Sequence, residues 1–398
     1  MTDTTRYQPT APIIHDLPND DYRTAPGDSA TFLKGCLRSV KHAITPRKPT
    51  KALDEGLKIH EFILERDKFL SGYKQGLNPT DYPNALQTAT DIKSVLIELN
   101  QTRKAKIKTT GTKPQLLKRI AEDDPEHLKN VQDVGSLSAS DLLDKIEFIN
   151  AQPNRGLLST SGTIAEMAER ATEAGWTGQC WQILERDNAA TDKRTTLLWS
   201  EYDKYEQMYQ SLMQHLQAGA QAEQERDNGE YVMQWLLYAF STPNVMETEV
   251  SMFGSGDKCR MDMMFEANGQ WFAFDLKKTV DASDEGFSKQ AARYHYDLQA
   301  AHYSAVSSEI GRPVVTFGFI AIEPEAPYAC NVLLPDGTTP EFHSDGSPAN
   351  FIALGARKRE YAKKQLTAAR ESGVMTAYEP KAKPLSSPAW ASYGPWSE

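Results

Sequence analysis

Cysteine is scarce and scattered. The four residues Cys36, Cys180, Cys259 and Cys330 form no C-x-x-C pair, so neither a disulfide framework nor a zinc or iron–sulfur cluster is signalled, and a reducing cytoplasm is the expected compartment. Long apolar runs are missing as well. Nothing approaches the roughly 20 apolar residues that span a bilayer, and the opening MTDTTRYQPTAP has neither the charged start nor the apolar stretch of a signal peptide. Neither secretion nor a membrane partner is expected. An excess of positive charge is also absent: 44 Lys and Arg against 54 Asp and Glu leave a formal charge of −10. That balance excludes a histone-like coat over DNA and leaves room for a local basic groove. No internal repeat is visible.

What is present is an ordinary globular composition, 25% charged and 39% hydrophobic over 398 residues, long enough for two or three domains at roughly 150 residues each. Residues 1–30 read as an extended arm leading to a helix near Ser29–Val40. A second helix over Leu53–Arg66 (LDEGLKIHEFILER) sets Leu57, His60, Ile63 and Leu64 at helical spacing, which places His60 on the inward stripe. The arm and these helices (1–66) are assigned to the same domain as the C-terminal core. From 67 to 227 the chain becomes rich in Thr, Lys and Gln with short helices and no alternating strand before the patch at Trp181–Leu184. This reads as a mainly helical insertion ending in a long polar helix over Ser200–Arg226.

Over 228–398 an α/β pattern emerges. A helix (YVMQWLLYAF) precedes three strands at hairpin spacing, VMETEVSMF, CRMDMMFE and WFAFDLKK. A helix over Asp284–Ser307, the strands VVTFGFIAIE and YACNVLL, and a basic helix near Ala349–Ser372 follow. The hairpin turning at Asn268-Gly269 brings Asp262 beside Asp275-Leu276-Lys277. Alternation puts Trp271, Ala273, Asp275 and Lys277 on one face and Phe272, Phe274 and Leu276 toward the core. Two carboxylates and an ammonium converging on one sheet face suit Mg²⁺ or Mn²⁺ with substrate phosphate oxygens, and the lysine can orient a water and neutralise charge on phosphorus. The bland alternative is a solvated strand with a cross-strand ion pair. Downstream, Gln299 and Tyr303 lie one turn apart on a helix.

Together these residues resemble the PD-(D/E)xK nuclease superfamily in its RecB-like branch, and within it the RecE-type exonucleases (exodeoxyribonuclease eight). The resemblance is carried by Gly56-Leu57-Lys58-Ile59-His60 with Leu64-Glu65, Glu249-Val250-Ser251, Cys259-Arg260-Met261-Asp262 and Asp275-Leu276-Lys277-Lys278-Thr279. It continues through Asp281-Ala282-Ser283, Gly286-Phe287, Arg293 to Tyr303 (RYHYDLQAAHY), Phe319 to Glu323, Pro327 to Cys330, and Pro384 to Ala391. It is loose over residues 1 to about 66 and close over 231–393. Met261 stands where that family usually has proline, and 67–227 has no counterpart there.

The resemblance implies a restriction-endonuclease-like core, a mixed sheet flanked by helices, holding two Mg²⁺ or Mn²⁺ ions. It implies Asp262 and Asp275 as metal ligands, with His60 and the Leu276 carbonyl as further ligands. It also implies Lys277 as the group that activates water, Gln299 and Tyr303 against the scissile strand, and Glu249 either on a metal or bracing Lys277. The implied activity is 5′ to 3′ degradation of linear double-stranded DNA from its ends, leaving a 3′ overhang for a single-strand annealing recombinase. The implied assembly is a homo-oligomeric ring, a tetramer, in a bacterial host or encoded by a bacteriophage or prophage.

Within the insertion, residues of about 86–122 resemble a SAP-type helix-extended-helix DNA-binding motif. Arg103, Lys104, Lys106, Lys108, Lys113, Lys118 and Arg119 gather there with no acidic residue between them, the electrostatic footprint of phosphate binding, against the plainer reading of a solvated loop. Arg357 and Lys358, in a second basic run on the last helix, either line the DNA path or form a solvated face. Two alternatives stand beside the exonuclease: a RecB-like repair or CRISPR-adaptation nuclease, disfavoured because only Cys330 follows the active strands, and a catalytically silent DNA-binding scaffold, disfavoured by the intact Asp262, Asp275 and Lys277.

Overall fold

The computed structural model describes residues 7–46, 50–129, 131, 133–226, 231–375, 377–378 and 381–385. Residues 386–391 of the terminal resemblance lie outside them. The chain divides into two compact units, one of Met1–Ser71 with Asp203–Glu398 and one of Gly72–Tyr202.

The first unit begins with β1 (Ile13–Ile14), α1 (Asn19–Thr24), α2 (Ala30–Arg38), α3 (Val40–Ile44), α4 (Lys51–Leu64) and α5 (Arg66–Gly72). The single helix expected over Ser29–Val40 is broken at Ser39, whose extended backbone (φ −177°) lets its hydroxyl accept the His42 N–H and start α3. On α4 the buried face is Ile59, Phe62, Ile63 and Leu64, whereas Leu57, expected on the inward stripe, is exposed. The Phe62 ring, packed edge-on to Phe69 at 4.9 Å and against Tyr205 at 5.8 Å, sets the rotation of the helix.

The second unit holds β2 (Tyr73–Gln75), α6 (Ala89–Gln101), α7 (Lys113–Asp123), α8 (Ala139–Asn150), α9 (Ile164–Glu173), α10 (Trp181–Ala190) and β3 (Thr195–Leu197). The strand patch expected at Trp181–Leu184 is the start of α10; the short strands β2 and β3 pair parallel elsewhere.

The chain re-enters the first unit through α11 (Trp199–Arg226) and continues with α12 (Val232–Ser241), β4 (Glu247–Phe253), β5 (Lys258–Ala267), β6 (Gln270–Lys278), α13 (Asp284–Tyr294), α14 (Tyr296–Glu309), β7 (Val314–Ile322), β8 (Cys330–Leu333) and α15 (Phe351–Ser372). The sheet order is β1-β4-β5-β6-β7-β8, with β6–β7 parallel and every other pair antiparallel. The fold is therefore mixed α/β, a mixed central sheet flanked by helices.

Both faces of β6 are covered, which excludes the alternative of a solvated strand. Ala273 and Asp275 are buried on one side, while Phe274 stacks on Phe265 and Phe272 meets Trp235 at 4.7 Å. The helix expected over Asp284–Ser307 is two, because His295 takes a left-handed conformation (φ 54°) and turns α14 back over the sheet. Gly355 fixes how closely α15 crosses α14, since a Cβ there would meet the Asp297 carbonyl oxygen at 1.9 Å. Among the described residues no helix is long and apolar enough to cross a membrane.

Candidate active site

Six elements of the first unit, α2, α4, β4, β5, β6 and α14, converge on one cluster. Asp262 on β5 lies opposite Glu249 on β4, between the register pairs Thr248↔Met263 and Val250↔Met261. Glu249 itself is held at φ 51° inside a strand, a conformation that costs a residue with a Cβ on the order of 1–3 kcal/mol and persists only where neighbours enforce it. Here the pairs on both sides and the Arg260 guanidinium enforce it. Arg260 Nη1 donates to Glu249 Oε2 at 3.2 Å, while its other nitrogens reach Ser251 Oγ at 3.0 Å and the Leu17 carbonyl at 2.7 Å.

From α4, His60 enters between the two carboxylates, Nδ1 3.4 Å from Glu249 Oε1 and Nε2 3.2 Å from Asp262 Oδ2. The same Asp262 oxygen accepts the Leu276 backbone N–H at 3.0 Å, tying β5 to β6 at the functional residues. Next to Leu276 on β6, Asp275 forms an ion pair with Lys277 through Oδ2 and accepts the Gln299 side-chain amide through Oδ1. Gln299 in turn accepts from Lys34 Nζ at 2.7 Å. Lys34 and Lys277 each stand 5.0 Å from the Tyr296 ring centre, within cation–π range.

The electrostatics follow from burial and these contacts. Burial favours neutral His60, yet the Asp262 and Glu249 carboxylates outweigh it and push the imidazole up to about 9. Burial opposes ionisation of Asp262, but the His60 charge, Lys277 and the Leu276 N–H hold its carboxyl below the usual range. Asp275 goes the other way: burial, then repulsion from Asp262, pushes it up to about 6 despite Lys277 and Lys34. Burial works against the Lys277 ammonium, and Asp275 and Asp262 more than offset it, so Lys277 stays protonated well above pH 7. Lys34 is lowered to about 7 by burial and then by Lys277. Two neighbouring carboxylates driven apart in pKa are a feature of functional sites.

The structure thus brings together His60, Glu249, Asp262, Asp275, Leu276, Lys277 and Gln299. Tyr303 packs its ring edge-on to Phe317 at 5.6 Å, and burial followed by the Tyr22 and Asp275 charges raises its phenol well above the ordinary value. Glu249 pairs with His60 and Arg260, while Lys277 takes Asp275 as its partner. The sequence assigns no role to Lys34, Arg260 or Tyr296, although the last two fall inside the motifs of the resemblance; Lys34 lies more than 200 residues from its partners, on a helix with no charged pattern. Of the two residues read as lining the DNA path or forming a solvated face, Lys358 reaches Asp297 at 2.5 Å, and Arg357 donates to the Gly346 carbonyl. In the second unit, the basic residues of 103–119 lie on the connector from α6 to α7 and on α7 itself.

The donor set fits a divalent cation. His60, Glu249 and Asp262 each offer one ligand atom, all within 4.8 Å of one another, and a set of two carboxylates and an imidazole suits a hard-to-borderline ion such as Mg²⁺ or Mn²⁺. Asp275 is outside this group of three, its oxygens engaged by Lys277 and Gln299.

Residues 168–342 match the model of the PDDEXK-like domain of unknown function (DUF3799). That span, less than half of the chain, contains every residue of the site except His60 and Lys34. With the mixed sheet and the D-x-K strand, the match supports the PD-(D/E)xK nuclease superfamily. A crystal structure from Eubacterium rectale, named "Putative exonuclease", is similar at 15% identity and a TM-score of 0.27, over 52% of this chain and 71% of that one. No curated protein matches the chain.

Proposed function

We propose that this protein is a metal-dependent deoxyribonuclease of the PD-(D/E)xK type that degrades linear double-stranded DNA. The observation that carries the reading is the convergence of Asp262, Asp275 and Lys277 from adjacent strands with His60 and Glu249. It joins a carboxylate–imidazole group suited to a cation with a protonated lysine in one half-buried site. A bound Mg²⁺ or Mn²⁺, as one ion or two, would supply charge neutralisation at phosphorus and a more acidic water. The protein's own groups do the rest. Asp262, fixed by His60 and the Leu276 N–H, is preorganised as a carboxylate. Asp275, poised near neutrality, can hold or accept a proton. Lys277, pinned between Asp275 and the Tyr296 ring, presents an ammonium where negative charge develops. Gln299 and Lys34 keep Asp275 in place from the helix side.

The finer reading rests on the RecE-type resemblance: digestion 5′ to 3′ from an end, a 3′ overhang passed to a single-strand annealing recombinase, and a closed homo-oligomeric ring, a tetramer, encoded in a bacterium, a bacteriophage or a prophage. A linear duplex and a closed circle of the same sequence, incubated with Mg²⁺ and with chelator, test it. Loss of the linear form alone, and only with metal, supports the reading; equal attack on the circle contradicts an exonuclease. Light scattering reporting a monomer at the assay concentration would contradict the ring.

A further inference from the structure

The second unit contains an internal duplication that the sequence conceals. α6 and α8 start alike: Thr88 and Ser138 are N-caps whose hydroxyls accept from the N–H of Asp91 and Asp141, and each aspartate returns the bond, a reciprocal capping box. α7 and α9 repeat the device with Thr112–Gln115 and Thr163–Glu166. Each is preceded by a glycine in a backbone conformation that residues with a Cβ rarely adopt, Gly111 (φ 140°) and Gly162 (φ 118°). Thr88 to Ser138 is a spacing of 50 residues and Gly111 to Gly162 a spacing of 51, so one residue is gained in the second connector. Helix, extended connector, glycine and helix therefore occur twice, as α6–α7 and as α8–α9.

The copies are interleaved. α6 packs on α9 through Ile92, Leu96, Met167 and Ala171, and α8 packs on α7 through the counterparts Leu142, Ile146, Leu116 and Ile120. Asn100 at the end of α6 exchanges two hydrogen bonds with the backbone of Leu158 in the other copy, at 2.7 and 3.0 Å. Its counterpart Asn150 does the same with Ile107, at 2.8 and 2.9 Å. The connectors meet at Lys104 and Arg155, which are each other's counterparts. Two structurally equivalent copies in one molecule permit an internal comparison. A charge needed for the fold should recur in both copies or make an internal bond, and a charge needed for a ligand need do neither.

The basic residues of 103–119 divide on that criterion. Arg119 donates to the Lys108 and Thr110 carbonyls, and Arg170 to the Ser159 and Ser161 carbonyls, the same staple twice. Lys104 donates to the Asp123 carbonyl, and Arg155 pairs with Asp123 and Asp124. Arg103 donates to the Gly156 and Arg155 carbonyls, and Lys113 to that of Gly135. Lys106, Lys108 and Lys118 remain. All three are exposed. Their counterparts are Leu157, Ser159 and Glu169, also exposed. Among the described residues, Lys106 and Lys108 have no side-chain partner, and Lys118 has only a surface pair with Glu122 at 3.7 Å, the kind that contributes little. The Arg119 staple lays the connector carrying Lys108 along the helix that carries Lys118.

We propose that Lys106, Lys108 and Lys118 form a binding face for the phosphate backbone of duplex DNA, and that the second copy is a scaffold that keeps the fold without the charge. The choice of duplex DNA rests on the function proposed above; the polyanion-binding face rests on the charge itself. Within copy one, residues 103–119 carry seven basic and no acidic side chains, whereas 154–170 carry Arg155 and Arg170 against Glu166 and Glu169.

The test exchanges residues between copies in the full chain. Binding to a fluorescent duplex is followed by anisotropy across salt concentrations with metal chelated, so hydrolysis does not enter. K106L/K108S/K118E gives copy one the residues of copy two; the salt slope should fall by roughly 0.9 for each phosphate that is no longer neutralised, so that the drop in affinity between 50 and 200 mM salt becomes about 40-fold smaller. Adding L157K/S159K/E169K to that variant should restore the slope, because the second copy presents the same backbone geometry. An unchanged slope in the first variant, or no recovery in the second with the thermal melt intact, overturns the proposal. Tighter binding of single-stranded RNA than of the duplex would overturn the choice of ligand. A chain that binds duplex through these lysines but never cleaves it would overturn the nuclease reading and leave this one standing.

Discussion

His60 Nε2 lies 3.2 Å from Asp262 Oδ2, and this contact brings a histidine from the N-terminal helices onto a carboxylate of the sheet. Its consequence is a proton. With His60 pushed up to about 9, the imidazole is protonated at pH 7.5, and a divalent ion must displace that proton to use the nitrogen. Apparent metal affinity should rise about tenfold per pH unit between pH 7 and 9 and flatten above. Titration calorimetry in buffers of different ionisation enthalpy should report close to one proton released at pH 7.5, and His60→Gln should remove both the release and the pH slope. Metal binding without proton release would exclude His60 as a ligand.

His302 is fully buried on α14, its Nδ1 accepting from Arg359 Nε at 3.1 Å and its Nε2 donating to the Lys258 carbonyl at 3.0 Å. Burial pulls its pKa down to about 4. Its folded value is below its unfolded value of about 6.5, so the unfolded chain takes the proton first as pH falls. The stabilisation is therefore complete above about pH 6.5 and lost between there and pH 4, by about 3 kcal/mol at 1.36 kcal/mol per pKa unit. Urea unfolding should show this fall, and His302→Gln should be less stable at pH 7 and lose less on acidification. An acid profile unaltered by the substitution would contradict the assignment.

Asn100→Ala and Asn150→Ala should each destabilise the Gly72–Tyr202 unit by about 1–3 kcal/mol, because each leaves a backbone N–H and carbonyl without its partner. Their effects should be of similar size, since the two asparagines occupy equivalent places in the duplicated arrangement. Urea unfolding of the two variants decides it: a large loss in one and none in the other would mean that the symmetry is only geometric.

The site was legible where its residues sit on adjacent strands. A two-residue turn and strand alternation suffice to bring Asp262 beside Asp275 and Lys277, and His60 followed from the resemblance. The roles of Lys34 and Arg260 were not legible, because they depend on tertiary placement that no local period encodes. The burial of both faces of β6 is not encoded in the alternation for a related reason: a strand buried on both sides still alternates in side-chain direction, and only its packing helices reveal the burial. The breaks at Ser39 and His295 each turn on one residue's backbone conformation, and neither interrupts the apolar pattern. The duplication is hidden in the sequence because the identities that mark it, the caps, an asparagine, a glycine and an arginine, are far apart, and because the spacing slips from 50 to 51 residues in the connector.

Whether Asp262, Asp275 and Lys277 form a metal-dependent hydrolytic site acting on DNA ends is decided by one rate. Linear duplex labelled at the 5′ or the 3′ end is incubated with Mg²⁺, and initial label release is compared for the wild-type chain, Asp262→Ala and Lys277→Ala. The wild-type chain should release 5′ label before 3′ label, and both variants should lose on the order of a hundredfold or more in kcat while still binding the duplex, because the removed groups act electrostatically at the reacting phosphate and do not hold the groove. Retention of more than about a tenth of wild-type kcat in both variants would contradict the assignment.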